Sequence, residues 1–114
     1  NVDFYLKNVD RTFYKLIDEK KYQYNTYHTF VIQTPLRDKL KDYLKKNKVL
    51  TGIHYPVPIH LQPASKSLKY KNGDFPITEQ QSKKILTLPI HQNLSLSNLK
   101  KVSFLLNKFA KNNK

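Results

Sequence analysis

Cysteine is absent from the chain, so there is no disulfide framework, thiolate nucleophile or soft metal ligand, which fits a cytoplasmic protein. Methionine is absent too. The opening Asn1-Val2-Asp3-Phe4-Tyr5 reads as the inside of an element, and a longer polypeptide is the expected source of the chain. Glycine occurs only at Gly52 and Gly73, too few for a phosphate-cradling loop or a dinucleotide fingerprint. The eight acidic residues are scattered and give little support to a paired acid–base dyad. None of the serines sits in a nucleophile elbow. The four histidines match neither HExxH nor any other zinc spacing, so no metal site is expected. No apolar run approaches the ~20 residues of a bilayer span, and the start does not read as a secretory signal.

What is present is ordinary globular material. A chain of 114 residues with 39% hydrophobic and 12% aromatic content is one domain, able to bury roughly two thirds of its unfolded surface. The net charge of +13 invites a nucleic-acid reading. Two observations disfavour it. Arg11 and Arg37 are the only arginines, although the guanidinium fork is the preferred reader of phosphate and base. The lysines are spread through every expected helix with no run longer than two. A solvated lysine coat, balanced in part by acidic surface elsewhere, is the simpler reading.

Along the chain, Leu6, Val9, Phe13, Leu16 and Ile17 fall on one stripe at helical spacing, predicting a helix over 3–19. Residues 20–26 are polar and read as a loop. Tyr27 to Gln33 is β-branched and aromatic and predicts a strand. Thr34-Pro35 supplies an N-cap and a first-turn proline for a helix to about Asn47, burying Leu36, Leu40, Tyr43 and Leu44. Val49 to His54 reads as a second strand, with Gly52 where a backbone or ligand could come close. Asn72-Gly73-Asp74 marks a turn. A helix over 77–84, a third strand over 85–89 and a last helix follow. The last helix is capped by Ser95 or Ser97 and buries Leu99, Val102, Leu105, Leu106 and Phe109. The expected fold class is α+β: a small antiparallel or mixed sheet of about three strands, packed with helices.

The segment most suggestive of function is His54-Tyr55-Pro56-Val57-Pro58-Ile59-His60-Leu61-Gln62. It holds two imidazoles, a phenol and an amide on a proline-braced loop after a strand. Prolines reduce the entropy lost on ordering such a loop, and polar groups on a rigid support suit binding. The residues alone leave a second reading open, in which the loop only caps the sheet edge. His28 is read as a half-buried strand residue and His91 as a surface loop residue.

This loop resembles the His-Tyr-Pro…His signature in the C-terminal domain of the DegT/DnrJ/StrS family of sugar aminotransferases. The resemblance continues in register over residues 27–110. Upstream lie His28-Thr29-Phe30-Val31-Ile32, Arg37-Asp38-Lys39-Leu40 and Thr51-Gly52-Ile53. Downstream lie Gly73-Asp74-Phe75-Pro76-Ile77-Thr78-Glu79 and Leu86-Thr87-Leu88-Pro89-Ile90, then an amphipathic helix. Residues 1–26 resemble less closely the connecting helix and loop that enter this domain, leaving 27–114 as the small domain itself.

The resemblance implies a fold-type-I architecture. A large domain holds pyridoxal phosphate on a lysine, the small domain packs against it, and the site forms at a homodimer interface. It implies amino transfer, commonly from glutamate, to a nucleotide-linked keto sugar for polysaccharides or other glycoconjugates. In the family the catalytic lysine precedes a Gly-Glu-Gly-Gly stretch that this chain lacks, so no catalytic residue and no bound cofactor are expected here. Carried over residue by residue, His54 and Tyr55 would face cofactor and substrate, with His60 and Gln62 as second choices. Arg37 is expected to serve its helix. A freestanding non-catalytic interaction module, and more distantly a basic nucleic-acid-binding domain, are the competing readings.

Overall fold

The computed structural model describes all residues, 1–114. Helix α1 spans Val2–Asn8, strand β1 Phe30–Gln33, helix α2 Arg37–Lys46, helix α3 Pro76–Lys84, strand β2 Ile85–Leu88 and helix α4 Leu96–Asn113. Two 3-10 turns, Ile59–Leu61 and Pro63–Leu68, lie between α2 and α3. The strands pair antiparallel with Phe30 opposite Leu88, Val31 opposite Thr87, Ile32 opposite Leu86 and Gln33 opposite Ile85. Helix α3 runs straight into β2, because Ile85 turns extended and Thr34 N–H caps the carbonyl of Lys84 at 3.0 Å.

The α+β class is as expected, but the sheet is smaller. The strand expected at 49–54 is reduced to one bridging residue: Gly52 exchanges both backbone hydrogen bonds with Thr87, at 2.8 and 3.0 Å. Lys48, at φ 62°, has already turned the chain, and Pro56 and Pro58 beyond have no amide to continue a ladder. On the opposite edge Lys15 makes the same single exchange with Gln33.

The helix expected over 3–19 stops at Asn8. Asp10 Oδ1 accepts from both the amide and the hydroxyl of Thr12, a local turn that competes with helical bonding. The segment nevertheless belongs to the core. Tyr5, Val9, Tyr14 and Leu16 are buried together with Phe30, Ile32, Leu86 and the inner stripe of α4. Tyr5 donates its hydroxyl to the carbonyl of Pro89 and Tyr14 to that of Leu106, both at 2.9 Å, so two phenols enter an apolar core with their polar ends satisfied. The five apolar residues expected to line α4 are all buried, and Ser95 caps the helix by accepting from Asn98 N–H at 3.2 Å. Thr34 does not cap α2: its hydroxyl accepts from Leu36 N–H at 3.3 Å and the helix starts at Arg37. No helix is long and apolar enough to cross a membrane.

Candidate functional site

The proline loop leaves the sheet at Gly52 and returns to the body at the first 3-10 turn. Its first residue is fixed from below. His54 Nδ1 lies 2.9 Å from the hydroxyl of Thr87 on β2, and the His54 ring stands edge-on to that of Tyr55 at 5.5 Å. Gly52 makes this possible, since a Cβ there would sit 2.7 Å from His54 Cε1. Where the sequence suggested a backbone or a ligand approaching Gly52, the close neighbour is instead the imidazole of the same loop. His54 and Tyr55 are exposed, and the His54–Tyr55 peptide bond is cis.

The four expected site residues do not all face the same way. His54 and Tyr55 stand at the surface, and Gln62 lies beside Tyr55 and Val57, donating to the carbonyl of Val57 at 3.1 Å in an exposed bond. His60 turns inward, its Nε2 2.9 Å from Glu79 Oε1. Ser65 adds a bond to the carbonyl of Ile59 at 2.7 Å. Tyr55 (69% exposed), Val57 (46%) and Ile59 (74%) form an apolar edge on the outside of the loop. Residues 49–65 contain no charged side chain, in a chain where a quarter of all residues are charged.

Glu79 and Thr87 received no role from the sequence alone. Glu79 lies in the first turn of α3, a position that favours a carboxylate, and that placement was the available signal. Burial pushes its carboxyl up, but hydrogen bonds from His60 and from the Gly73 and Phe75 amides outweigh this and hold it below the usual value. Arg37, expected to serve its own helix, instead reaches across to the α3–β2 junction: its buried guanidinium donates to the carbonyls of Ser82 and Ile85 at 3.1 and 3.2 Å. His28 and His91 are both exposed, and His28 precedes β1 rather than lying half-buried within it. No group of three or more potential metal ligands comes together.

A pyridoxal phosphate site needs an amine in a sheltered pocket and a cradle for the phosphate. No lysine of the chain is buried, Gly73 sits in an exposed turn and Gly52 is occupied by the His54 ring. The residues of this chain therefore do not fit the amine pocket or the phosphate cradle.

Fold and loop together define a small α+β domain with an exposed proline loop beside its sheet. The chain belongs to the DegT/DnrJ/EryC1/StrS aminotransferase family, whose description matches residues 3–106. It is 28% identical over 107 residues to the dTDP-3-amino-3,6-dideoxy-alpha-D-galactopyranose transaminase of Aneurinibacillus thermoaerophilus, covering 94% of this chain and 29% of that protein. Over 72 residues it is 40% identical to a pleiotropic regulatory protein of Geobacillus stearothermophilus, covering 63% of this chain and 19% of that one. Among solved structures, DesV of S. venezuelae superposes with a TM-score of 0.89 at 25% identity, over 96% of this chain and 30% of DesV. NtdA of Bacillus subtilis, solved with bound cofactor PMP, has the same fold, with a TM-score of 0.82 at 22% identity over 96% of this chain and 26% of NtdA. The match thus spans only 19% to 30% of these relatives' length.

Proposed function

We propose that this chain is the small C-terminal domain of a pyridoxal-phosphate-dependent aminotransferase acting on a nucleotide-linked keto sugar, with glutamate as amino donor. Residues 27–114 form that domain and 1–26 lead into it. Catalysis requires the remaining polypeptide, which carries the cofactor lysine, and a second copy of the whole protein in the cytoplasm. Pyridoxal phosphate, when bound there, supplies the electron sink for amino transfer.

Within this chain His54 and Tyr55 have the work of orienting the substrate. The observation that carries this reading is the outward, uncharged edge of Tyr55, Val57 and Ile59 beside a histidine anchored on β2. Contiguous apolar surface on a loop free of charged side chains suits contact with another surface. The radius of gyration, 15.6 Å, exceeds the about 13 Å of a compact domain of this length, as a piece of a larger body would.

The name of the Geobacillus relative, a pleiotropic regulatory protein, favours a second reading, in which the whole protein has a regulatory role. Cofactor titration addresses both. The whole protein is expected to bind pyridoxal phosphate stoichiometrically with a new visible absorbance, and this chain alone to give none. Saturable one-to-one absorbance from the 114 residues overturns the proposal. Binding by the whole protein without amino transfer to any sugar nucleotide selects the regulatory reading.

A further inference from the structure

His60 and Glu79 are 19 residues apart and meet where neither side chain is more than 10% exposed. Glu79 accepts from His60 Nε2 at 2.9 Å, from Gly73 N–H at 2.9 and 3.0 Å and from Phe75 N–H at 3.3 Å. His60 is its one side-chain partner. The Phe75 ring covers the imidazole at 4.7 Å, and Tyr70 stacks edge-on against Phe75 at 5.1 Å. A buried carboxylate costs stability unless fully hydrogen-bonded, and replacing such a pair by apolar side chains is often neutral. Its gain is directional: it fixes the 3-10 turn at Ile59–Leu61 to the first turn of α3 in one orientation.

The loop therefore has two fixed ends. At the near end His54 is held by Thr87. At the far end His60 is held by Glu79, with Leu61 N–H on the carbonyl of Pro58 at 2.9 Å and Gln62 on that of Val57. Tyr55, Pro56 and Val57 bridge the interval.

We propose that His60 and Glu79 form a latch that positions Tyr55 and Val57, and that His60 acts through the loop and touches no ligand. This inference rests on the reading of His54 and Tyr55 as the site-facing residues, and it moves His60 out of that group. A positioning role also differs from simple packing. Phenylalanine at 60 fills the imidazole's space without donating to Glu79, whereas glutamine keeps a side-chain N–H but packs poorly.

The test uses the 114-residue chain with His60→Phe and His60→Gln, followed by amide hydrogen exchange and by the ring-to-ring NOE between His54 and Tyr55. His60→Phe is expected to speed exchange at Leu61, Gln62 and Ser65 by about ten-fold and to weaken the NOE, with β1, β2 and α4 unchanged. His60→Gln is expected to restore most of the protection. Protection retained in His60→Phe, or lost evenly across β1, β2 and α4, overturns the proposal. So does a His60→Gln variant as loose as His60→Phe. Because neither cofactor nor sugar is needed, failure here counts against the latch alone, and the aminotransferase reading stands or falls on the cofactor titration.

Discussion

The Nδ1 of His54 sits 2.9 Å from the Thr87 hydroxyl only because Gly52, two residues earlier, has no side chain to displace the ring. Gly52→Ala brings a methyl to 2.7 Å from His54 Cε1, inside contact distance. The clashing atom belongs to a side chain that can rotate away. The lost hydrogen bond costs about 1 kcal/mol, and the alanine returns about half of that through the unfolded chain. Urea denaturation is thus expected to show less than about 1 kcal/mol of change. NMR is expected to show His54 released from Thr87, as it should in Thr87→Val. An unmoved His54 resonance in Gly52→Ala contradicts the anchoring.

Arg37 joins α2 to the end of α3 through the carbonyls of Ser82 and Ile85. Its partner Asp38 is 80% exposed, so that ion pair contributes little next to the two buried carbonyls. Arg37→Met leaves both carbonyls without their donor and is expected to cost about 2–4 kcal/mol in urea denaturation. Arg37→Lys keeps the charge but not the planar fork and should recover about half of that. A methionine variant as stable as the parent chain removes the clamp from the account.

Patterned elements were legible in the sequence and side-chain competition was not. The stripe of α4 and the β-branched run of β1 came through because burial follows period, and both lie in the core. The helix over 3–19 failed at Asp10, whose carboxylate takes Thr12 N–H from the helix. The strand over 49–54 failed because β propensity at Val49 and Ile53 cannot supply ladder partners past Gly52 and two prolines. In the loop, composition marks out a segment of polar groups on a proline-braced support. It could not separate His54, which faces out, from His60, which faces Glu79, because the difference depends on α3, far along the chain.

Raised tyrosines and lowered carboxylates, Asp10 and Glu79, set the pH limits, and Tyr5, Tyr14 and Glu79 are the buried ones among them. Burial raises the Tyr5 hydroxyl from 10.0 to about 12, and the Tyr14 hydroxyl is also raised. A raised folded-state value keeps its stabilisation below the unfolded value and loses it as pH climbs through the folded one. Stability is therefore expected to fall between pH 10 and about 12, by about 3 kcal/mol from Tyr5. Tyr5→Phe, about 1 kcal/mol less stable at neutral pH, should lose that share of the slope. Glu79 has the opposite sign. Its depressed value makes a contribution that is complete above the ordinary 4.5 and is lost as pH drops below it. Glu79→Gln should flatten the acid limb, and urea midpoints taken across pH check both limbs. An acid limb of unchanged slope in Glu79→Gln would show that the carboxylate is not held as described.

The outer edge of the loop makes a separate prediction about assembly. Ile59 is 74% exposed and Val57 46%, so neither contributes much to the isolated fold. Ile59→Lys should change the stability of this chain by no more than about 0.5 kcal/mol, the range for surface substitutions. If this edge docks as proposed, the whole protein would have to bury the same lysine there, and burying an unpaired charge costs several kcal/mol. The expected outcome is a chain that melts normally by itself and a whole protein that loses cofactor affinity or falls to monomers. Differential scanning calorimetry of the first and sedimentation with cofactor absorbance on the second measure the two sides. A whole protein that tolerates Ile59→Lys with dimer and cofactor intact places that edge in solvent and requires another surface for docking.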